Sequence, residues 1–213
     1  MVDVTGRAFA GILAPAMTAI GEPVWALATY FPRQGDWSEE AYMAFHGEQS
    51  RIELVDGSIE VLPVPTDRHQ AILTLLLILI SAYAQRVGGK ARPAGLRVRL
   101  RAGRFREPDV VFLTKERLHL RGEDYWRGAD LTVEIVSGSA DDRVRDLVAK
   151  RRDYAEAGIP EYWIVDPEVE TVTVLRLDGG AYVEHGVFRR GATATSAHYA
   201  GLSVAVDAVF DAD

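Results

Sequence analysis

Asp109, Glu134 and Lys150 are the residues of this chain whose types could do chemistry together. Asp109 follows Pro108 at the head of the apolar segment EPDVVFL (107–113), and Glu134 sits in the middle of LTVEIVS (131–137). A run this rich in β-branched residues reads as a strand buried on both faces. An unpaired carboxylate inside it costs several kcal/mol. Alternation puts Thr132, Glu134 and Val136 on one face, and pairing of the two segments would bring Asp109 and Glu134 together at one edge of a sheet. Carboxylates that close repel unless something positive holds them, and a hard divalent cation suits oxygen ligands.

A lysine is also within reach. In DDRVRDLVAKRRDYAEAG (141–158), Asp146, Lys150 and Tyr154 are spaced i, i+4, i+8 and form one helical stripe. This helix follows the Glu134 strand directly and must pack back on the sheet. Asp, Glu and Lys around a divalent ion are the equipment for phosphodiester hydrolysis. The metal polarises the phosphate and acidifies a water, while lysine orients the nucleophile or stabilises the developing charge. Plainer arrangements fit the same residues: a buried Glu134–Lys150 salt bridge, Asp109 capping a turn after Pro108, and Lys150 as a solvated helix lysine.

The elements that must position these groups follow from pattern. WSEEAYMAF (37–45) starts a helix with Ser38 as N-cap and acids in its first turn. RIELVDGSIEVLP (51–63) alternates on both sides of Asp56-Gly57, a hairpin signal. TDRHQAILTLLLILISAYAQRVGG (66–89) is a long helix capped by Thr66 or Asp67 and closed by Gly88-Gly89. Its near-continuous Leu and Ile content predicts packing on most sides. ARPAGLRVRLRAGRFR (91–106) reads as the strand LRVRLR and a turn, and EYWIVDP (161–167) as a buried strand stopped by Pro167. TVTVLRL, AYVEHGVF and LSVAV either complete the sheet or form a small antiparallel addition. The strand, strand, helix, strand order of 107–167 implies a mixed β-sheet with helices on its faces, an α/β fold. With no internal repeat or linker, residues 37–213 read as one domain behind an N-terminal extension, 1–36.

Composition narrows the classes. No cysteine is present, which excludes disulfides, thiolate zinc sites and a cysteine nucleophile, and accords with a cytoplasmic protein. The sequence has no Gly-rich phosphate loop, HExxH or GxSxG, so nucleotide-driven motors, zincins and α/β-hydrolases are set aside. The net charge of −7 is unevenly spread. Residues 86–106 carry eight Lys or Arg and no acid, whereas residues 1–63 carry nine acids against three basic residues. That asymmetry permits a local anionic partner on an acidic protein. The stripe Arg97, Arg99, Arg101 alternates with Val98 and Leu100, the look of a half-exposed solvated strand, or of a phosphate-contacting face if it borders the site. FAGILAPAMTAI (9–20) lacks a clustered basic n-region and is broken by Pro15, which argues against a signal peptide. Met17 opens a plausible second start, which would make residues 1–16 a loosely ordered leader. AILTLLLILISAYA (71–84) is short for a bilayer span, and a buried helix, not a membrane element, is expected.

EPDVVFL, LTVEIVSGS and RDLVAKRRDYAEAGIPEYWIVDP, together with IELVDGSIEVLP and the His69 that follows it, resemble the Uma-type restriction endonucleases of the PD-(D/E)xK nuclease superfamily. The likeness covers roughly residues 37–190, and GIPEYWIVDP is its most distinctive stretch. The resemblance implies a restriction-endonuclease-like fold and a Mg²⁺- or Mn²⁺-dependent endonuclease acting on nucleic acid, DNA in the first place. It implies Asp109 and Glu134 as metal ligands, Glu53 as an additional acid at the metal and His69 as a polar residue at the rim. Where the superfamily usually has lysine, two residues beyond Glu134, this chain has Val136, so Lys150 of the next helix is the match. Many enzymes of this fold act as dimers, which makes a homodimer the expectation, with its contact at the aromatic C-terminal strands. The rival expectation is a nuclease fold kept as a binding or structural module without turnover; hydrolysis of another phosphorylated substrate would use the same residues.

Overall fold

The computed structural model describes residues 31–45, 51–138 and 140–213. The expectations for residues 1–16 and 9–20 lie outside them, as does the extension 1–36 apart from its last six residues.

Two sheets carry the architecture. The first has five strands in the order β2-β1-β5-β4-β7: β1 (Ile52–Val55), β2 (Ser58–Val61), β4 (Arg97–Arg101), β5 (Arg104–Arg106) and β7 (Tyr125–Trp126). The second has six in the order β11-β10-β9-β8-β6-β3: β3 (Lys90–Pro93), β6 (Val110–Leu113), β8 (Leu131–Ile135), β9 (Glu161–Asp166), β10 (Thr171–Asp178) and β11 (Ala181–Arg189). β12 (Thr193–Thr195) and β13 (Ser203–Ala205) form a separate ribbon, so the C-terminal strands do both things expected of them. β8 and β9 are parallel while β6 pairs antiparallel with β8, making the six-stranded sheet mixed. A parallel pair needs a crossover, and the helical segment after β8 supplies it.

Alternation along β6 and β8 sorts side chains onto two cores. After the short helix α1 (Glu39–Ala44) comes the long α2 (Asp67–Val87), whose Ile72, Leu76 and Ile80 meet Val110, Phe112, Leu131, Val133 and Ile135. Val111, Leu113, Val136, Tyr154, Tyr162 and Ile164 form the opposite core. Thr66 caps α2 by accepting from the His69 amide, and Gly88, in the left-handed region at φ 75°, closes it. The helix is packed on one face, not most: Leu75, Leu77 and Leu79 are half-buried and Ile78 is exposed. Its 21 residues make it long and apolar enough to cross a membrane by length and composition, yet its buried stripe lies on the sheet.

Three features depart from the sequence expectation. Residues 90–93 and 104–106 are strands of their own, β3 and β5, outside the single LRVRLR strand. The helix expected over 141–158 is divided into α3 (Ala140–Val144), a π segment (Arg145–Ala149) and α4 (Lys150–Glu156). In the π segment the Lys150 amide donates to the carbonyl of Arg145, five residues back. The Asp146 carbonyl, which an α-helix would have used there, accepts instead from the Tyr162 hydroxyl at 2.9 Å.

The Asp56-Gly57 hairpin turns as expected, with φ 48° and 83°. Its tip is also a docking point, since the Gly57 carbonyl accepts from the amides of Gly35 (2.8 Å) and Trp37 (2.9 Å). A Cβ on Gly57 would stand 2.3 Å from the Gly35 carbonyl oxygen. Gly57→Ala is therefore expected to destabilise the protein by about 2 kcal/mol, from the positive φ and the backbone clash together. Urea unfolding checks this, and a loss well under about 0.5 kcal/mol would contradict it.

Candidate active site

Antiparallel register brings the two acids together. Val110 pairs with Val133, so one step further Asp109 stands across from Glu134, at the end of the sheet where β6 begins and β8 ends. Both are buried, at 3% and 2% exposure. Asp109 Oδ2 accepts from the Ile135 amide at 2.8 Å and lies 3.2 Å from His69 Nε2. Among the described residues its Oδ1 meets Arg51 Nη2 alone, at 3.5 Å. Burial opposes ionisation of Asp109, but His69, Lys150 and the Ile135 amide together hold its carboxyl below the usual range.

Glu134 is held differently. Its Oε2 accepts from Lys150 Nζ at 2.7 Å and its Oε1 from the Tyr154 hydroxyl at 2.5 Å. Burial pushes its carboxyl up to about 8; Lys150 opposes this, and the charges of Asp109, Asp146 and Glu53 add to it. Lys150 itself is 2% exposed, and its ammonium also faces Asp146 Oδ1 at 3.3 Å and Glu53 Oε1 at 3.7 Å. Its acid neighbours outweigh burial and hold it protonated. One cation thus serves three carboxylates from three elements.

Glu53, on β1, is fully buried behind Lys150. It accepts from Arg106 Nη1 at 2.6 Å and from the Glu107 amide at 2.8 Å. Burial works against its charge, but Lys150, Arg106 and that amide depress its carboxyl to about 2. Arg106, 1% exposed, reaches Glu60 at 2.7 Å and Asp153 at 2.7 Å as well, and Arg104 pairs with Asp153 and Asp56.

The sequence-expected residues Asp109, Glu134, Lys150, Glu53 and His69 are therefore gathered at one place. Arg106, Asp153 and Arg51 were missed as members of it, and Asp146, placed on the Lys150 stripe, was given no role in it. The available signal was the charge asymmetry along the chain, whose meaning proves internal. Arg99 pairs with Glu39 (3.0 Å) and Arg101 with Asp56 (2.7 Å), while Arg97 lies over the Tyr42 ring and 3.7 Å from Glu107. The strand segment is half-exposed, as its alternation predicts, and its arginines pair with Glu39, Asp56 and Glu107, so it is not a free phosphate-binding face.

Among the described residues no ready-made cluster of three His, Asp or Glu side chains awaits a metal. The donor chemistry nonetheless fits Mg²⁺ or Mn²⁺. Such ions are held by one or two carboxylates with waters and substrate phosphate completing the shell, and Asp109 and Glu134 line one cleft with Lys150, Asp146, His69, Arg51 and Arg145. Burial first, and then the charges of Asp109, Asp146 and Glu53, raise the Glu134 carboxyl, and a cation beside it would favour its charged form.

The family model Uma2, described as "Putative restriction endonuclease", matches residues 39–207. The crystal structure of "a putative nuclease belonging to DUF820" from Anabaena variabilis shares the fold, with a TM-score of 0.61 at 21% identity over 75% of this chain and 89% of that one. No curated protein matches the chain.

The Glu134 geometry has a consequence for stability. An unfolded Glu134 titrates near 4.5 and the folded one near 8, so between these values the folded state binds the extra proton and stability falls as pH rises. Glu134→Gln removes this slope. In metal-free buffer, the melting temperature of the variant relative to wild type is expected to climb from pH 4.5 to pH 8 and then level off. A constant difference across that window would contradict the assignment.

Proposed function

Given that the chain belongs to the Uma2 family of restriction endonucleases, whose model spans residues 39–207, we propose that it hydrolyses phosphodiester bonds of nucleic acid with the help of a divalent cation, Mg²⁺ or Mn²⁺. The single observation that carries this reading is the facing pair Asp109–Glu134 at the sheet end, two carboxylates that line one cleft. Asp109 and Glu134 are the ligands. Glu53 is not: it is fully buried behind Lys150 and does not line the cleft that Asp109 and Glu134 share, and its part is to hold Lys150.

The bound ion supplies Lewis-acid charge at the phosphate and a water nucleophile at neutral pH. The protein does the rest. The Ile135 amide and His69 fix one oxygen of Asp109 and leave Oδ1 toward the cleft. Tyr154 and Lys150 fix the Glu134 carboxylate from behind. Among the described residues His69 Nδ1, which is buried, has no hydrogen-bond partner, and its ring borders both the acid pair and the wider cleft beside it. Water adds to phosphorus, one P–O ester bond breaks, and the departing oxygen takes a proton.

A second reading, a nuclease fold that binds without turnover, draws on the same structure. Val136 stands where the superfamily usually has lysine, and Lys150 is buried among carboxylates. Cleavage decides between the two. Supercoiled plasmid DNA with Mg²⁺ or Mn²⁺ is expected to be nicked, EDTA to abolish nicking, and Asp109→Asn or Glu134→Gln to lower the rate by on the order of 10²–10³. Well-folded protein that binds Mn²⁺ and leaves both plasmid and single-stranded DNA intact would favour the second reading.

A further inference from the structure

Phosphoryl transfer needs positive charge aimed at the phosphate, and the residue expected to provide it is not free to do so. An ammonium has three protons to donate. Lys150 faces three carboxylates, Glu134 at 2.7 Å, Asp146 at 3.3 Å and Glu53 at 3.7 Å, and is 2% exposed. A phosphate oxygen reaching it would have to displace an acid. At the neighbouring wider cleft, Arg143 is committed to Asp166 through two bonds (2.6 and 3.1 Å), and Arg68 pairs with Glu170.

Two guanidiniums that line the same cleft as Asp109 and Glu134 are differently placed. Arg51 approaches Asp109 Oδ1 at 3.5 Å, and among the described residues its buried Nε has no hydrogen-bond partner. Arg145 binds Asp142 through Nη2 at 2.8 Å, but its buried Nε lies 3.6 Å from Asp146 and is likewise without a hydrogen bond. Their side chains are 28% and 16% exposed, so both stay open at the mouth of the cleft. A buried donor left without an acceptor is unfavourable, and the planar fork of arginine matches two oxygens of a phosphate at once. We propose that Arg51, supported by Arg145, is the cation that meets the substrate phosphodiester at the metal-binding acids, and that Lys150 is a positioning residue which keeps those acids together.

The assignment rests on the nuclease reading, and its test separates the two. Metal-dependent plasmid cleavage is measured for wild type, Arg51→Met, Arg51→Lys and Arg145→Met, with Mn²⁺ affinity by titration calorimetry and binding of a short DNA duplex without metal by fluorescence anisotropy. Arg51→Met is expected to lose about a hundredfold in kcat with a smaller change in KM. Mn²⁺ affinity should stay within about threefold, Arg51→Lys should recover part of the rate, and Arg145→Met should show a smaller loss. Wild-type cleavage that persists within about threefold in Arg51→Met overturns the assignment. So does a loss of Mn²⁺ affinity that accounts for the whole rate loss, because Arg51 would then be acting through Asp109. If wild type cuts nothing, the nuclease reading falls, and the duplex measurement still judges Arg51: affinity reduced about fivefold or more in Arg51→Met supports phosphate binding, and equal affinity overturns it. Arg51→Lys keeps the test open should Arg51→Met fail to fold.

Discussion

The buried ammonium of Lys150 is what allows this site to exist in a folded chain. Glu53 comes from the five-stranded sheet, Glu134 from the six-stranded sheet and Asp146 from the π segment, and all three converge on it. Like charges about 4 Å apart repel by about 4 kcal/mol each at the effective dielectric of a protein surface, and by more when buried. Without a central cation the sheets and the crossover helix could not close on one another with their acids ionised. Arg106 extends the arrangement by tying Glu53 and Glu60 of the β1–β2 hairpin to Asp153 of α4. The fold and the site are therefore held by one charge network.

That network explains the lopsided charge of the sequence. The acids of residues 39–60 and the arginines of 97–106 are far apart along the chain but adjacent in the five-stranded sheet, where β1 pairs with β5. Opposite charges segregated in sequence here fold onto one another and satisfy each other internally. A basic segment within an acidic chain suggests an anionic partner only while its neighbours in space are unknown.

Local pattern was legible wherever one interaction range decides the outcome. The Asp56-Gly57 turn, the Thr66 cap, the Gly88 stop and the apolar strands β6, β8 and β9 follow from neighbours within a few residues. The pairing of Asp109 with Glu134 was legible as a consequence of strand alternation once β6 and β8 were placed side by side. β3 and β5 escaped because three or four residues rich in arginine carry no hydrophobic period. The π segment escaped because Asp146, Lys150 and Tyr154 keep α-helical spacing in sequence, and only the Tyr162 hydroxyl, supplied from β9, reveals where the freed carbonyl goes. Arg106 escaped for a similar reason. An arginine in a short strand is most often exposed, and only the convergence of Glu53, Glu60 and Asp153 accounts for its burial.

The two central acids differ in what the protein asks of their oxygens. Asp109 commits Oδ2 to Ile135 and His69 and leaves Oδ1 with one long contact to Arg51, so one side is fixed and the other open. Glu134 has both oxygens bound, by Tyr154 and Lys150, yet each retains a lone pair beyond the bond it accepts. A cation held by both acids would compete at Asp109 with the long Arg51 contact alone, and at Glu134 would use lone pairs beyond the bonds already accepted. It would also favour the charged form of Glu134 against its burial and the neighbouring acids. The burial of Glu134 in LTVEIVS is thus tolerated through Lys150 and Tyr154, and the lone pairs they leave, with Oδ1 of Asp109, are the hard oxygen donors that a divalent ion would take.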